Sequence, residues 1–133
     1  MALNPKTAVA SRNLALDAAF DVLDSGKFRL YDGTQPTDAD TALGAQVLLA
    51  DLALGADSFA AASAGSKAAN AISNDTSADA TGTCTWCTLT TSANVRKFDG
   101  SAGTATVNLV LNTASIVVGA TVSVTSWSFT QAA

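Results

Sequence analysis

The sequence predicts a mainly β domain, a β-sandwich or jelly-roll-like fold led by one N-terminal α-helix. Apolar and polar residues alternate through much of the second half, which is rich in Thr and Val. Turn signals such as Asp32-Gly33 and Asp99-Gly100 punctuate the chain, and helical periodicity is clear over residues 13–24. A length of 133 residues fits one core and is too short to divide. The expected organisation is an N-terminal arm over residues 1–12 and a single β-rich domain over 13–133, with its leading helix at 13–25.

In residues 13–24, Asn13, Asp17, Asp21 and Asp24 fall on one narrow stripe at helical spacing, and Leu, Ala, Phe and Val fill the rest. So wide an apolar arc predicts burial on more than one side, against the chain's own sheet or partly against a neighbouring subunit. Thr7 or Ser11 is placed to cap the start, and Gly26 to end the helix. From Lys27 the period becomes two, with Phe28 and Leu30 inward and Arg29 and Tyr31 on the other face. Asp32-Gly33, Pro36 and the run Thr37-Asp38-Ala39-Asp40-Thr41 predict a loop. Residues 46–54 then read as a strand with both faces covered, broken only by Asp51.

Residues 60–71 are rich in Ala but weakened as a helix by Ser63, Gly65, Ser66 and Asn70, and Phe59 suits a short strand. Residues 74–79 form a polar loop. Residues 81–91 read as a strand centred on Trp86, and residues 98–101 as a turn. Residues 104–112 read as a strand with Ala105, Val107, Leu109 and Leu111 inward. Across 120–130, Val122 and Val124 have one parity and Trp127 and Phe129 the other, which predicts a bulge or a change of buried face.

Hydrophobic residues make up 48% of the chain and charged ones 14%, a composition lean in charge that suits life inside an assembly, although much of the apolar fraction is Ala. The net charge is −4 and the seven basic residues are scattered, which argues against nucleic-acid binding. No run approaches the roughly 20 apolar residues of a membrane-spanning helix. Residues 1–6 lack the pattern of a signal peptide, so export by the secretory route is not expected.

Cys84 and Cys87 stand as CxxC, a spacing used in redox and zinc sites. Here the flanks are strand-like, the two positions point to opposite faces, and no His or further Cys completes a metal set, so packing thiols are expected. Without His there is no ordinary triad base. The aspartates lie mostly beside Gly, Ser or Thr, as in turns, and the runs at 38–40 and 74–79 miss the calcium-loop spacing. Gly65-Ser66-Lys67 lacks the rest of a phosphate loop. Tyr31, Trp86 and Trp127 suit either core anchoring or a sugar-stacking platform. No catalytic, cofactor-binding or metal-binding residue is assigned, and no enzyme activity is expected.

The helix at 13–24 is followed by Lys27-Phe28-Arg29-Leu30-Tyr31-Asp32-Gly33-Thr34-Gln35-Pro36-Thr37-Asp38-Ala39-Asp40-Thr41-Ala42-Leu43 and Val47-Leu48-Leu49-Ala50-Asp51-Leu52-Ala53-Leu54-Gly55. This arrangement resembles a group of small virion proteins of tailed bacteriophages. The likeness continues through Asp79-Ala80-Thr81-Gly82-Thr83, Phe98-Asp99-Gly100-Ser101 and Val117-Val118-Gly119-Ala120-Thr121-Val122-Ser123-Val124, and so covers most of the chain. It implies a structural role, most like that of a head decoration or cement protein that bridges major capsid subunits and stabilises the shell. The implied partners are the major capsid protein and the chain itself as a dimer or trimer. The implied place is the capsid surface, after assembly in the host cytoplasm. Leu3, Pro5, Lys6 and Arg12, in the arm, are the candidate capsid or subunit interface. A tail, neck or baseplate component shares the resemblance, and a carbohydrate-binding module is the alternative of another class.

Overall fold

A computed structural model describes residues 5–131. The chain is mainly β with one N-terminal helix, and its curled mixed sheet makes a β-sandwich-like domain. The helix, α1, spans Val9–Asp21. Among the described residues ten strands follow: β1 Lys27–Tyr31, β2 Leu48–Ala53, β3 Ser66–Lys67, β4 Gly82–Thr83, β5 Trp86–Thr90, β6 Arg96–Gly103, β7 Leu109–Leu111, β8 Ser115–Ile116, β9 Val124–Trp127 and β10 Phe129–Thr130. Six of them form one sheet in the order β2-β1-β5-β6-β7-β9, antiparallel except for a short parallel contact between β6 and β7. β3 pairs with β10 and β4 with β8 as separate ribbons.

The helix starts earlier than the periodicity suggested, so the last four residues assigned to the arm, Arg12 among them, are helical. No side chain caps its start, because neither Thr7 nor Ser11 turns back on the first amides; the Arg12 guanidinium instead donates to the Thr7 carbonyl at 2.6 Å. The end is set by Ser25, at φ 58°, and Gly26. A Cβ on Gly26 would lie 1.9 Å from the Thr90 carbonyl oxygen, so only glycine lets the helix exit pass this close to β5.

The orientation of α1 departs from simple amphipathicity. Asn13 accepts from the Gly65 amide at 2.9 Å, Asp17 from the Ala62 amide at 2.8 Å, and Asp24 from the Ser58 amide at 3.0 Å. Residues 56–70 are an extended, sparsely paired segment rather than a helix, held by isolated bridges such as Phe59 with Ala69. Their amides need acceptors, and the polar stripe of α1 supplies them. Leu16, Phe20 and Leu23 are buried beside that stripe. The remainder of the apolar arc faces solvent, with Leu14 72% and Val22 51% exposed.

In β2 both faces carry buried residues, Leu49 on one and Ala50 and Leu52 on the other, as expected for that strand, and in β1 Phe28 and Leu30 point inward as expected. Phe28, Leu30, Leu52 and Leu89 enter the core with Phe20. On this side the Phe20 ring lies 4.6 Å from Phe98, 4.9 Å from Phe59 and 5.4 Å from Phe129. The opposite face carries Arg29, Tyr31, Trp86, Thr88 and Asp99, brought into adjacent register by the β1–β5 and β5–β6 ladders. The outer edge of β2 is closed by residues 73–80: the Asp51 amide donates to Asp75, and the Asp79 amide to the Leu49 carbonyl. That cover removes a free strand edge.

Two expected elements differ. Residues 98–101 are the middle of β6, not a turn, because Asp99 is paired within the sheet and Gly100 leaves room for Asn108 against it. The reversal lies instead near Asn94, at φ 64°, where the Thr91 carbonyl accepts from the Asn94 amide. Residues 104–108 are a loop containing Thr106 at φ 53°, so Ala105 is exposed, Val107 is half-buried, and only Leu109 and Leu111 of the expected inward set are buried. The change of face in the last segment is present. Val122 is fully buried, a register shift interrupts β7–β9, and Trp127 and Phe129 pack on the core.

Candidate functional site

The polar face of the sheet gathers the most chemistry. Tyr31 and Trp86 stack at 4.8 Å with planes 15° apart, and the Arg96 guanidinium lies 5.6 Å from the Trp86 ring. Arg96 pairs with Asp99 and donates to the carbonyls of Thr41 and Asp38. Residues 32–47 therefore fold over this face as a strap. Trp86 Nε1 donates to the Asp32 carbonyl at 3.0 Å and Thr85 to the Gly33 carbonyl at 2.6 Å, while Asp32 accepts from the Val47 amide at 2.6 Å. At the strap's tip Asp38 accepts from the Asp40 and Thr41 amides and from the Thr41 hydroxyl. The hydroxyl and then the amide bonds hold its carboxyl below the ordinary 3.8.

Trp86 is 1% exposed, so it offers no free face to a sugar, and Trp127 is half-buried among the core aromatics. Cys84 and Cys87 are free and buried; burial pushes the Cys84 thiol up to about 11 and raises Cys87 as well. Asp79 is raised from the usual 3.8, first by burial and then by the charges of Asp51 and Asp75. Among the described residues no group of three or more metal-ligating side chains comes together, and no helix is long and apolar enough to cross a membrane. A cavity of about 230 Å³ lies between Phe28, Leu89, Phe98 and Trp127 in the aromatic core.

Lys67, part of a chance-looking Gly-Ser-Lys fragment in the sequence, is buried, and its ammonium donates to Asp17 at 2.7 Å. The Lys67 bond is the largest cause of the lowered Asp17 carboxyl, followed by the Ala62 amide. A carboxyl depressed in the fold contributes stability above its unfolded value that is lost as the pH falls through its folded value. Stability should thus decline as the pH drops below about 4. Urea denaturation at a series of pH values should show a shallower acid slope for Asp17→Asn; an unchanged slope would remove Asp17 from the cause.

Of the interface residues, Leu3 lies outside the described residues. Pro5 and Lys6 are exposed, whereas Arg12 is half-buried in α1, with its guanidinium beside Gly65. The three described residues thus do not form one patch by side-chain contact: Arg12 is occupied in holding Thr7. Sequence reasoning missed Arg96 and Lys67, whose roles arise from strand pairing between distant segments. No protein-family model, curated protein or solved structure matches the chain.

Proposed function

We propose that this is a structural virion protein of a tailed bacteriophage, a head decoration or cement protein that bridges major capsid subunits and associates with its own copies. The resemblance carried by residues 26–54 supports the kinship, and the outward apolar side chains of α1 support the structural role. With Asn13, Asp17 and Asp24 bonded to residues 58–65, the helix leaves Leu14 and Val22 facing outward, at 72% and 51% exposure. That apolar outer face is the observation that carries the reading, because an adhesive domain needs contact surface and no chemistry. The arm residues Leu3, Pro5 and Lys6 extend the contact, and Arg12 anchors the arm's base.

Purified particles decide the matter. Copy number from quantitative gels, with cryo-EM of the particle, should place this chain on the capsid surface at a count comparable with the major capsid protein. One ring of copies at the neck or tail would transfer the protein there, and absence from particles would sink every virion reading. Within the cement reading, Leu14→Lys combined with Val22→Lys should lower capsid occupancy at least tenfold on the scale of about 1.4 kcal/mol per decade, with the melting temperature held.

A further inference from the structure

An antiparallel ladder runs between residues 66–75 and 122–130, and it is closed at both ends and open in the middle. At one end Lys67 pairs with Phe129 and Ser66 with Thr130, and the Gln131 amide donates to the Gly65 carbonyl. At the other, Asp75 and Val122 exchange both main-chain bonds. Continued from Lys67–Phe129 without a shift, the register would set Ala69 opposite Trp127 and Ile72 opposite Val124. Instead a slit of about 280 Å³ separates residues 68–72 from residues 124–127.

Both walls present main-chain groups to that slit. Ala68 and Asn70 bond to Ala60 and Ser58 on their far side, so Ala69 between them points the other way. Ser73 bonds to Ala53, which turns Ile72 toward the slit as well. Across it, Ser123 and Ser128 bond to Asn112 and Asn108, leaving Trp127 and Val124 directed outward from β7. None of these four residues exchanges a main-chain hydrogen bond with another element across the gap. The walls carry no charged side chain, and Ala68, Asn70, Thr125 and Ser126 are exposed.

Unpaired strand edges on two sides call for an extended polypeptide, and the same chain supplies one. Pro5–Ala8 precede α1, are exposed, and join no strand. Eight residues before Val9 reach at most about 28 Å extended, more than the roughly 13 Å of a four-residue slit. We infer that the N-terminal segment of a second copy of this chain lies in the slit as an added strand, bonding to Ala69 and Ile72 on one wall and Val124 and Trp127 on the other. This deepens the self-association included in the function proposed above. It is read on purified protein, so its failure leaves the particle experiment untouched.

Sedimentation equilibrium of the full chain should show reversible self-association. Ala69→Pro deletes a slit-facing amide while sparing the bonds of Ala68 and Asn70, and should weaken association about tenfold, the scale of one net hydrogen bond. Deleting residues 2–8 should abolish it with α1 intact. A chain that is monomeric throughout, or association unchanged by the deletion, overturns the inference. Should Ala69→Pro fail to fold, mixing Thr7→Cys protein with Ala68→Cys protein under mild oxidation decides. A mixed disulfide dimer supports the inference. No cross-link, or cross-linking only within one chain when both cysteines share it, overturns it.

Discussion

Arg96→Ala is expected to destabilise the fold by about 3–5 kcal/mol, the usual scale when one member of a buried charge pair is removed. The Arg96 side chain is 13% exposed and that of Asp99 is 3%, so the substitution strands a carboxylate away from water. The Asp99 carboxylate already has one oxygen, Oδ1, without a partner, which leaves Arg96 as its sole hydrogen-bonding partner among the described residues. The second loss is mechanical. Arg96 is the tie from β6 to the carbonyls of Thr41 and Asp38, so the strap's tip should open without it. Urea denaturation measures the first effect and hydrogen exchange at the Thr41 amide the second. Arg96→Met with Asp99→Leu should recover most of the loss, because an apolar pair removes both charges together. A single substitution costing under about 1 kcal/mol would show that the pair is solvated in practice.

The strap also shows what the sequence could and could not reveal. Asp32-Gly33 and Pro36 marked a loop from composition alone, and the alternation from Phe28 to Tyr31 placed Arg29 and Tyr31 on one face. These are local signals, read from residues that make their own conformation. That the loop lies back over Trp86 depends on Arg96, more than fifty residues later, and no periodicity encodes that contact. The same limit explains Asp99-Gly100. A dipeptide that favours turns sits inside β6 because pairing with β5 on one side and Arg96 beneath it outweigh local preference.

For α1 the periodicity identified the helix and its polar stripe, and Leu16, Phe20 and Leu23 of the apolar arc are buried, but the rest of that arc is left uncovered. A carboxylate stripe normally faces water, where solvation is best. Here residues 58–65 offer amides without ladder partners, and each would cost about 1–3 kcal/mol if buried unpaired. Asn13, Asp17 and Asp24 meet that need, and the helix rotates to bring them in. Apolar side chains such as Leu14 are left outside, a cost that contact with another molecule would offset. The candidate surface was therefore legible as an over-wide apolar arc, but its direction was not.

Phe20→Ala tests the other side of this helix and is expected to cost about 3–5 kcal/mol. Phe20 is 1% exposed and joins elements that otherwise meet through few ladders: its ring is 5.5 Å from Trp127 and 5.4 Å from Phe129, besides Phe59 and Phe98. β3 and β10 form a two-residue ribbon, so these ring contacts add to a short ladder in holding Phe129. Truncation leaves a cavity that rigid strands cannot fill, and edge-to-face and stacked contacts are lost together. The shift should appear in urea denaturation, with Trp127 fluorescence moving red as its pocket loosens. Leu14→Ala, on the exposed face of the same helix, should stay within about 0.5 kcal/mol of the parent. Equal losses at the two positions would mean that the aromatic cluster does not govern stability here, since alanine's higher helix propensity favours both substitutions alike.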